Sequence, residues 1–183
     1  MHASLDGFVA GTNGEMNWIK FDDELFDFVG TITDKADSAL YGRVTYEMME
    51  SYWPTAADKP DASKHDKEHS AWYSKVSKIV LSTTMSGKGL SQTTVISDKL
   101  ADHITGIKKQ EGKDILIFGS PRASHSLLGL GLIDEFWIFV NPVLLGEGIP
   151  LFNNVAEKTQ LKLIASKTFT CGVIALNYEK TPD

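Results

Sequence analysis

Two short stretches of this chain place a glycine, hydroxyls and an arginine where a strand gives way to a helix, a grouping suited to binding phosphate. The first runs Ala36-Asp37-Ser38-Ala39-Leu40-Tyr41 into Gly42-Arg43-Val44-Thr45. The second runs Asp114-Ile115-Leu116-Ile117-Phe118 into Gly119-Ser120-Pro121-Arg122-Ala123-Ser124. Glycine lets backbone come close to a ligand, amides and hydroxyls at a helix start donate to phosphate oxygens, and an arginine fork meets a second phosphate. Two such anion sites suit a dinucleotide. Each junction also has a plain structural reading, in which the glycine ends a strand, Thr45 or Ser120 caps a helix and both arginines lie in solvent.

Other chemistry is excluded by spacing. Gly129-x-Gly131 and Gly146-x-Gly148 match fragments of the dinucleotide fingerprint, but the sixth positions are Asp134 and Leu151 and neither pair follows a strand and opens a helix. No P-loop and no G-x-S-x-G nucleophile elbow is present. His65 and His69 stand four apart, the spacing of a metal-binding pair on a helix, yet the charges around them favour a solvated face, and no metal is expected. Ser124-His125 lacks an orienting carboxylate, and adjacent helical residues diverge.

Periodicity supplies the elements that must hold these residues. Short apolar or β-branched runs predict strands at His2 to Leu5, Ala36 to Tyr41, Lys78 to Ser82, Thr93 to Ser97, Asp114 to Phe118, Glu135 to Pro142, Leu161 to Phe169 and Gly172 to Tyr178. Helical spacing predicts helices at Asp22 to Thr31, Arg43 to Tyr52, Lys99 to Gln110 and Ala123 to Leu130. Strands and helices alternate up to Leu130 and only strands follow, the pattern of a mainly parallel α/β sheet finished by an antiparallel hairpin. The polar stretch Thr55 to Ser70 reads as a surface loop leading into a short solvated helix, so residues 1–183 are expected to form a single domain. With Asp6 so close behind it, the first strand is shorter than most, and the sequence leaves open whether residues precede Met1.

Composition narrows the partners. The 183 residues are 42% hydrophobic and 23% charged, enough to bury a core, and the net charge of −6 opposes any phosphate-driven grip on nucleic acid. Cys171 is the only cysteine, so no disulfide forms within the chain. The longest apolar run, Phe136 to Val140, is far too short to span a bilayer, and no lysine or arginine precedes Lys20, as a signal peptide would require. No membrane partner and a cytoplasmic location are expected.

Taken together, certain stretches carry a family resemblance: Ser4-Leu5-Asp6-Gly7-Phe8-Val9-Ala10, Ala36 to Thr45, Lys78 to Thr84, Ile117 to Ser120, Leu127 to Glu135, and Pro142-Val143-Leu144-Leu145-Gly146 through Phe152. The chain resembles the dihydrofolate-reductase-like superfamily, and within it stand-alone proteins similar to the C-terminal reductase domain of the bifunctional riboflavin-biosynthesis deaminase/reductase. The resemblance implies a three-layer α/β/α fold and an NADPH-dependent reductase. Such an enzyme transfers hydride to a small heterocyclic, pterin- or aminopyrimidine-like substrate, as 5-amino-6-(5-phosphoribosylamino)uracil reductase does. The alternative is a nucleotide-binding or interaction protein that keeps the fold without catalysis.

Carried over by position, the resemblance implies that Gly42, Arg43, Val44 and Thr45 hold the cofactor, with Arg43 on the 2′-phosphate. Leu81, Ser82 and Thr83 edge the adenosine, and Gly119, Ser120, Arg122, Ala123 and Ser124 take the pyrophosphate and nicotinamide side. Asp6 and Glu24 are the implied catalytic residues, and Trp18 and Phe28 the implied substrate contacts. Asp22, Asp23 and Asp27 crowd the same helix start, where acids also serve the helix dipole. Phe118-Gly119-Ser120 replaces the family's Glu-Gly-Gly, which removes an acid from the substrate side. The resemblance further implies a cis peptide at Gly119-Ser120, and a homodimer formed through the apolar segments Phe136 to Val140 and Pro142 to Leu145.

Overall fold

The computed structural model describes residues 1–153, 155 and 157–181. Its elements in chain order are β1 (His2–Ser4), β2 (Phe8–Ala10), α1 (Asp23–Thr33), β3 (Ala36–Gly42), α2 (Arg43–Ala56), α3 (Lys64–Tyr73), β4 (Ser77–Leu81), β5 (Thr93–Ile96), α4 (Leu100–Lys108), β6 (Asp114–Ile117), α5 (Pro121–Gly129), β7 (Glu135–Asn141), β8 (Ile149–Pro150), β9 (Leu161–Thr168) and β10 (Ile174–Lys180). They group into two compact units, one formed by residues 1–24 and the chain from Pro121 onward, the other by Leu25–Ser120. The architecture is α/β, with a parallel sheet and antiparallel C-terminal strands, as expected.

The Leu25–Ser120 unit holds a four-stranded sheet in the order β5-β4-β3-β6, with every neighbouring pair parallel. Ala39, Leu40 and Tyr41 are consecutive and all buried, so the central strand β3 is covered on both faces, as parallel strands must be. Its core cluster joins Ala39, Tyr41, Tyr46, Tyr73, Val76 and Val80 from β3, α2, α3, the residue just before β4, and β4 itself. Each fully buried aliphatic side chain contributes about 1.5–3 kcal/mol.

Helix α2 runs to Ala56, past the expected end at Tyr52, although Pro54 lies inside it. Pro54 costs the helix only its own N–H bond to the Glu50 carbonyl one turn back, and beyond it the Ser70 hydroxyl donates to the Trp53 carbonyl and the Ala57 amide to that of Thr55. Helix α3 starts where Ser63 and Asp66 form a reciprocal capping box. It is not solvated all round, since Ser70 and Tyr73 are buried.

The other unit holds a four-stranded sheet in the order β1-β7-β10-β9, parallel between β1 and β7 and antiparallel elsewhere. A short antiparallel pair, β2 and β8, lay below the sequence signal, with strands of three and two residues. That pair accounts for Gly148: its φ is +156°, and a Cβ there would collide with the Ala10 carbonyl. The fully buried Asn141 is a hub, its amide donating to the carbonyls of Phe139 at 3.0 Å and Ala3 at 3.3 Å while its Oδ1 accepts from the Lys20 amide at 2.9 Å. No helix among the described residues is long and apolar enough to cross a membrane.

Candidate active site

In the Leu25–Ser120 unit the chain leaves β3 for β4 and β5 on one side, then returns to lay β6 on the other. The direction of winding therefore reverses between β3 and β6. In open α/β sheets that switch point, at the carboxyl ends of the strands, is where ligands bind. Both glycine junctions meet there. The Gly42 amide donates to Ser120 Oγ at 3.0 Å, and a Cβ built on Gly119 would lie 3.8 Å from the Thr45 methyl. Gly42 pairs in register with Leu81, which sets Leu81, Ser82 and Thr83 along the same edge.

The start of α2 is open to an anion. Gly42 is its N-cap and supplies no side-chain cap, and no acid occupies the first turn. Thr45 therefore does not cap this helix, while Gly42 does end β3 and the Arg43 side chain does lie largely in solvent, as the plain structural reading has it. Arg43 is partly exposed and grips Glu47 one turn on, through Nη1 at 2.8 and 3.0 Å. Such a pair is worth about 0.3–0.5 kcal/mol, less than a charge-assisted bond to phosphate, so the guanidinium can be redirected by a ligand. Val44 is 71% exposed beside it. Ser82 closes a hydroxyl turn by accepting from the amides of Thr84 and Met85.

The second junction departs from expectation in its backbone. No cis peptide occurs among the described residues; instead Gly119 and Ser120 both take positive φ, +54° and +52°. Glycine adopts that region freely, whereas a buried serine is held there under strain by its surroundings.

The same unit contains a cluster that sequence reasoning missed. Phe26, Trp53, His65, His69, Trp72 and Phe118 form a continuous chain of ring contacts, the tightest being Phe26 stacked on His65 at 3.9 Å and 11°. Burial lowers the His69 pKa to about 4 and depresses that of His65, so both imidazoles are neutral at pH 7. Among the described residues no group of three or more metal-ligating side chains occurs. The clue in the sequence was the aromatic spacing of Trp53 and Trp72 around the two histidines. Phe28, on α1 in this unit, is half-buried.

In the other unit, the first turn of α5 carries Arg122, Ala123 and Ser124, of which Ala123 is buried and Arg122 exposed, again with no acid in that turn. Asp6 is a clasp. Its carboxylate accepts from Ser4 Oγ at 2.6 Å and from the amides of Gly146 at 2.7 Å and Leu145 at 3.1 Å. The Ser4 hydroxyl and then the amides hold its pKa below the usual range, so it is ionised at neutral pH and donates no proton. Glu24 pairs with Lys167 at 3.0 Å, and Asp22 accepts from Thr170 Oγ1 and the Cys171 amide. Trp18 donates from its indole to the Glu15 carbonyl at 3.0 Å.

Comparison with known proteins agrees with this architecture. The family model of the RibD C-terminal domain matches residues 1–175. Bacillus subtilis YyaP is 35% identical, over 96% of this chain and 89% of its own, and YwjB from the same organism is 27% identical, over 91% and 87%. Among solved structures, a protein of the riboflavin biosynthesis type from Shewanella sp. PV-4 matches with a TM-score of 0.76 at 23% identity, covering 100% of this chain and 97% of that one. Acinetobacter baumannii RibD matches with a TM-score of 0.70 at 19% identity, over 100% of this chain and 57% of that one. Enterococcus faecalis dihydrofolate reductase matches with a TM-score of 0.63 at 14% identity, over 99% and 94%. The fold is dihydrofolate-reductase-like, and the chain belongs to the RibD C-terminal domain family.

Proposed function

We propose that this protein is an NADPH-dependent reductase that transfers hydride to a small pterin- or aminopyrimidine-like heterocycle. The observation that carries the reading is the meeting of Gly42 and Ser120 at the switch point, beside an uncapped helix start that bears Arg43. Two structural relatives support it: one from Thermotoga maritima is a deaminase/5-amino-6-(5-phosphoribosylamino)uracil reductase by name, and the Enterococcus faecalis dihydrofolate reductase was solved with NADP(H).

The residues present fit a dinucleotide. Gly119 brings no side chain to the turn after β6, and no side chain caps the start of α2. Arg43 and Thr45 hold phosphate; Leu81, Ser82 and Thr83 border the adenosine; Arg122, Ala123 and Ser124 complete the cofactor set by family position. The bound dihydronicotinamide supplies hydride to an electron-poor ring carbon, and a proton reaches the neighbouring heteroatom. Since Asp6 is committed to its loop, Glu24 is the acid assigned to the substrate side.

A second reading, nucleotide binding without catalysis, is favoured by one observation: both Asp6 and Glu24 are engaged by internal partners. Single-turnover oxidation of NADPH, followed at its near-ultraviolet absorbance against pterins and aminopyrimidines, separates the two. Oxidation with any member establishes the reductase; tight cofactor binding with no turnover across the panel supports the binding protein.

A further inference from the structure

Arg43 is the first residue of α2 and Glu47 lies one turn on, an arrangement that does little to steady the helix. The positive end of the helix dipole disfavours a cation at that first position, and a basic residue followed four later by an acid is the weaker order of such a pair. Helix stability therefore does not account for it. The geometry is also one-sided, because both Glu47 oxygens approach Nη1, at 2.8 and 3.0 Å, and the Nε and Nη2 groups of Arg43 make no hydrogen bond among the described residues. The edge formed by Nε and Nη2, which can grip an oxyanion with two parallel bonds, is open. The other acid of α2, Glu50, accepts from the Tyr73 hydroxyl at 2.7 Å, so Glu47 is the carboxylate of this helix that stands by the guanidinium.

We infer that Glu47 is a specificity-determining residue that opposes Arg43: it works against the 2′-phosphate and for the free 2′-hydroxyl of the adenosine ribose. The inference rests on the cofactor reading above, which puts the 2′-phosphate on Arg43.

A phosphate on the open edge brings a second anion to a guanidinium that already has one, and the repulsion between the two acts through water and is cut by salt. Displacing Glu47 breaks its bond to Arg43 but leaves its charge on the same turn of α2, so the phosphorylated cofactor binds against it in either arrangement. A ribose 2′-hydroxyl is different, because it can donate, and a carboxylate is the acceptor that dinucleotide-binding folds set against it. An arginine has no acceptor to offer that hydroxyl. The pair thus holds one group for each cofactor, and both side chains are about half exposed, free to turn to a ligand.

Stepping the charge at this position through Glu47→Gln and Glu47→Lys tests the assignment, with dissociation constants of NADP⁺ and NAD⁺ for the full chain measured by titration calorimetry at low and high salt. At low salt the ratio of the NAD⁺ constant to the NADP⁺ constant is expected to be about fivefold wider in Glu47→Gln than in the wild type, through tighter NADP⁺ and weaker NAD⁺, and wider again in Glu47→Lys. Near 1 M salt, where charges are screened within about 3 Å, the steps between the three proteins shrink. Each variant supplies both constants, so a loss of folded protein cancels from the ratio. An unchanged ratio in Glu47→Gln, with NADP⁺ still bound, overturns the inference and leaves the cofactor reading standing. A narrowed ratio also overturns it, since Glu47 would then be a support for Arg43. NADP⁺ that binds none of the three proteins defeats the cofactor reading, and the inference falls with it.

Discussion

The Gly42 amide donates to Ser120 Oγ at 3.0 Å, tying the carboxyl end of β3 to the turn that follows β6 across 78 residues of sequence. The donor is the N-cap of α2, and the acceptor is a serine held at a φ of +52°. One hydrogen bond thus fixes the turn at the switch point and leaves the remaining amides of the α2 start available to a ligand.

Two substitutions separate the bond from the strain at this point. Ser120→Ala removes the acceptor and keeps the positive φ, and it should cost about 1–2 kcal/mol. Ser120→Gly removes the same acceptor but relieves about 1 kcal/mol of left-handed strain, so its stability should lie closer to wild type. Urea midpoints decide; equal loss in both variants would show that the backbone there is unstrained.

Arg43 should govern cofactor choice. Cofactor at about 100 times its dissociation constant adds roughly 2.7 kcal/mol, a melting shift of roughly 5–10 °C for a chain of this size, larger with NADPH than with NADH. Arg43→Ala should shrink the preference about tenfold or more and leave NADH affinity and basal stability nearly unchanged, because its present partner is a surface pair. Equal shifts for the two cofactors in the wild type defeat the assignment.

The buried histidine gives a pH dependence with a definite sign. His69 has its pKa lowered by burial to about 4, so between about pH 6.5 and 4 the unfolded chain takes up the proton and the folded chain does not. Stability is therefore complete above the unfolded value and falls on acidification through this window, by about 3 kcal/mol in all. His69→Phe should flatten that fall. Parallel urea titrations at pH 7 and pH 4.5 measure it, and an unchanged slope in the variant would assign the acid sensitivity elsewhere.

Asp6 titrates in a lower window. Its lowered pKa means that its contribution is present above the unfolded carboxylate value and is lost as pH falls through the folded one. Asp6→Ala should accelerate hydrogen exchange at the Leu145 and Gly146 amides about tenfold at neutral pH, with little change at β10. Unaltered exchange would mean that the loop holds its shape without the clasp.

Self-association, proposed here as a homodimer, has a more specific surface than the sequence suggested. Ile138 and Phe139 are buried because β7 is an interior strand, while Leu163, Ile164 and Ile174 on the neighbouring β9 and β10 are 50%, 43% and 40% exposed. Sedimentation at micromolar concentration should give twice the 20.2 kDa chain mass, and Leu163→Lys should return it to the monomer. A wild-type monomer under those conditions removes the proposal.

Much of this was legible in the residues alone. Period-two and period-3.6 patterning located most elements to within about two residues of where they lie, because local side-chain spacing is what those elements require. The glycine junctions were visible as local motifs at a strand end, although only Gly119, at a φ of +54°, has a backbone that favours glycine, and Gly42 is ordinarily extended. What sequence could not supply were relationships between distant residues. The strand order that makes β3 and β6 the switch point depends on long-range pairing, as does the engagement of Asp6 by amides about 140 residues away. His65 and His69 read as solvated from their charged neighbours, and only tertiary packing of α1, α2 and α3 against the end of β6 turned them into part of a ring surface. The brief pair β2 and β8 was invisible because two or three residues carry no period, and its existence depends on a pairing between residues about 140 apart in sequence.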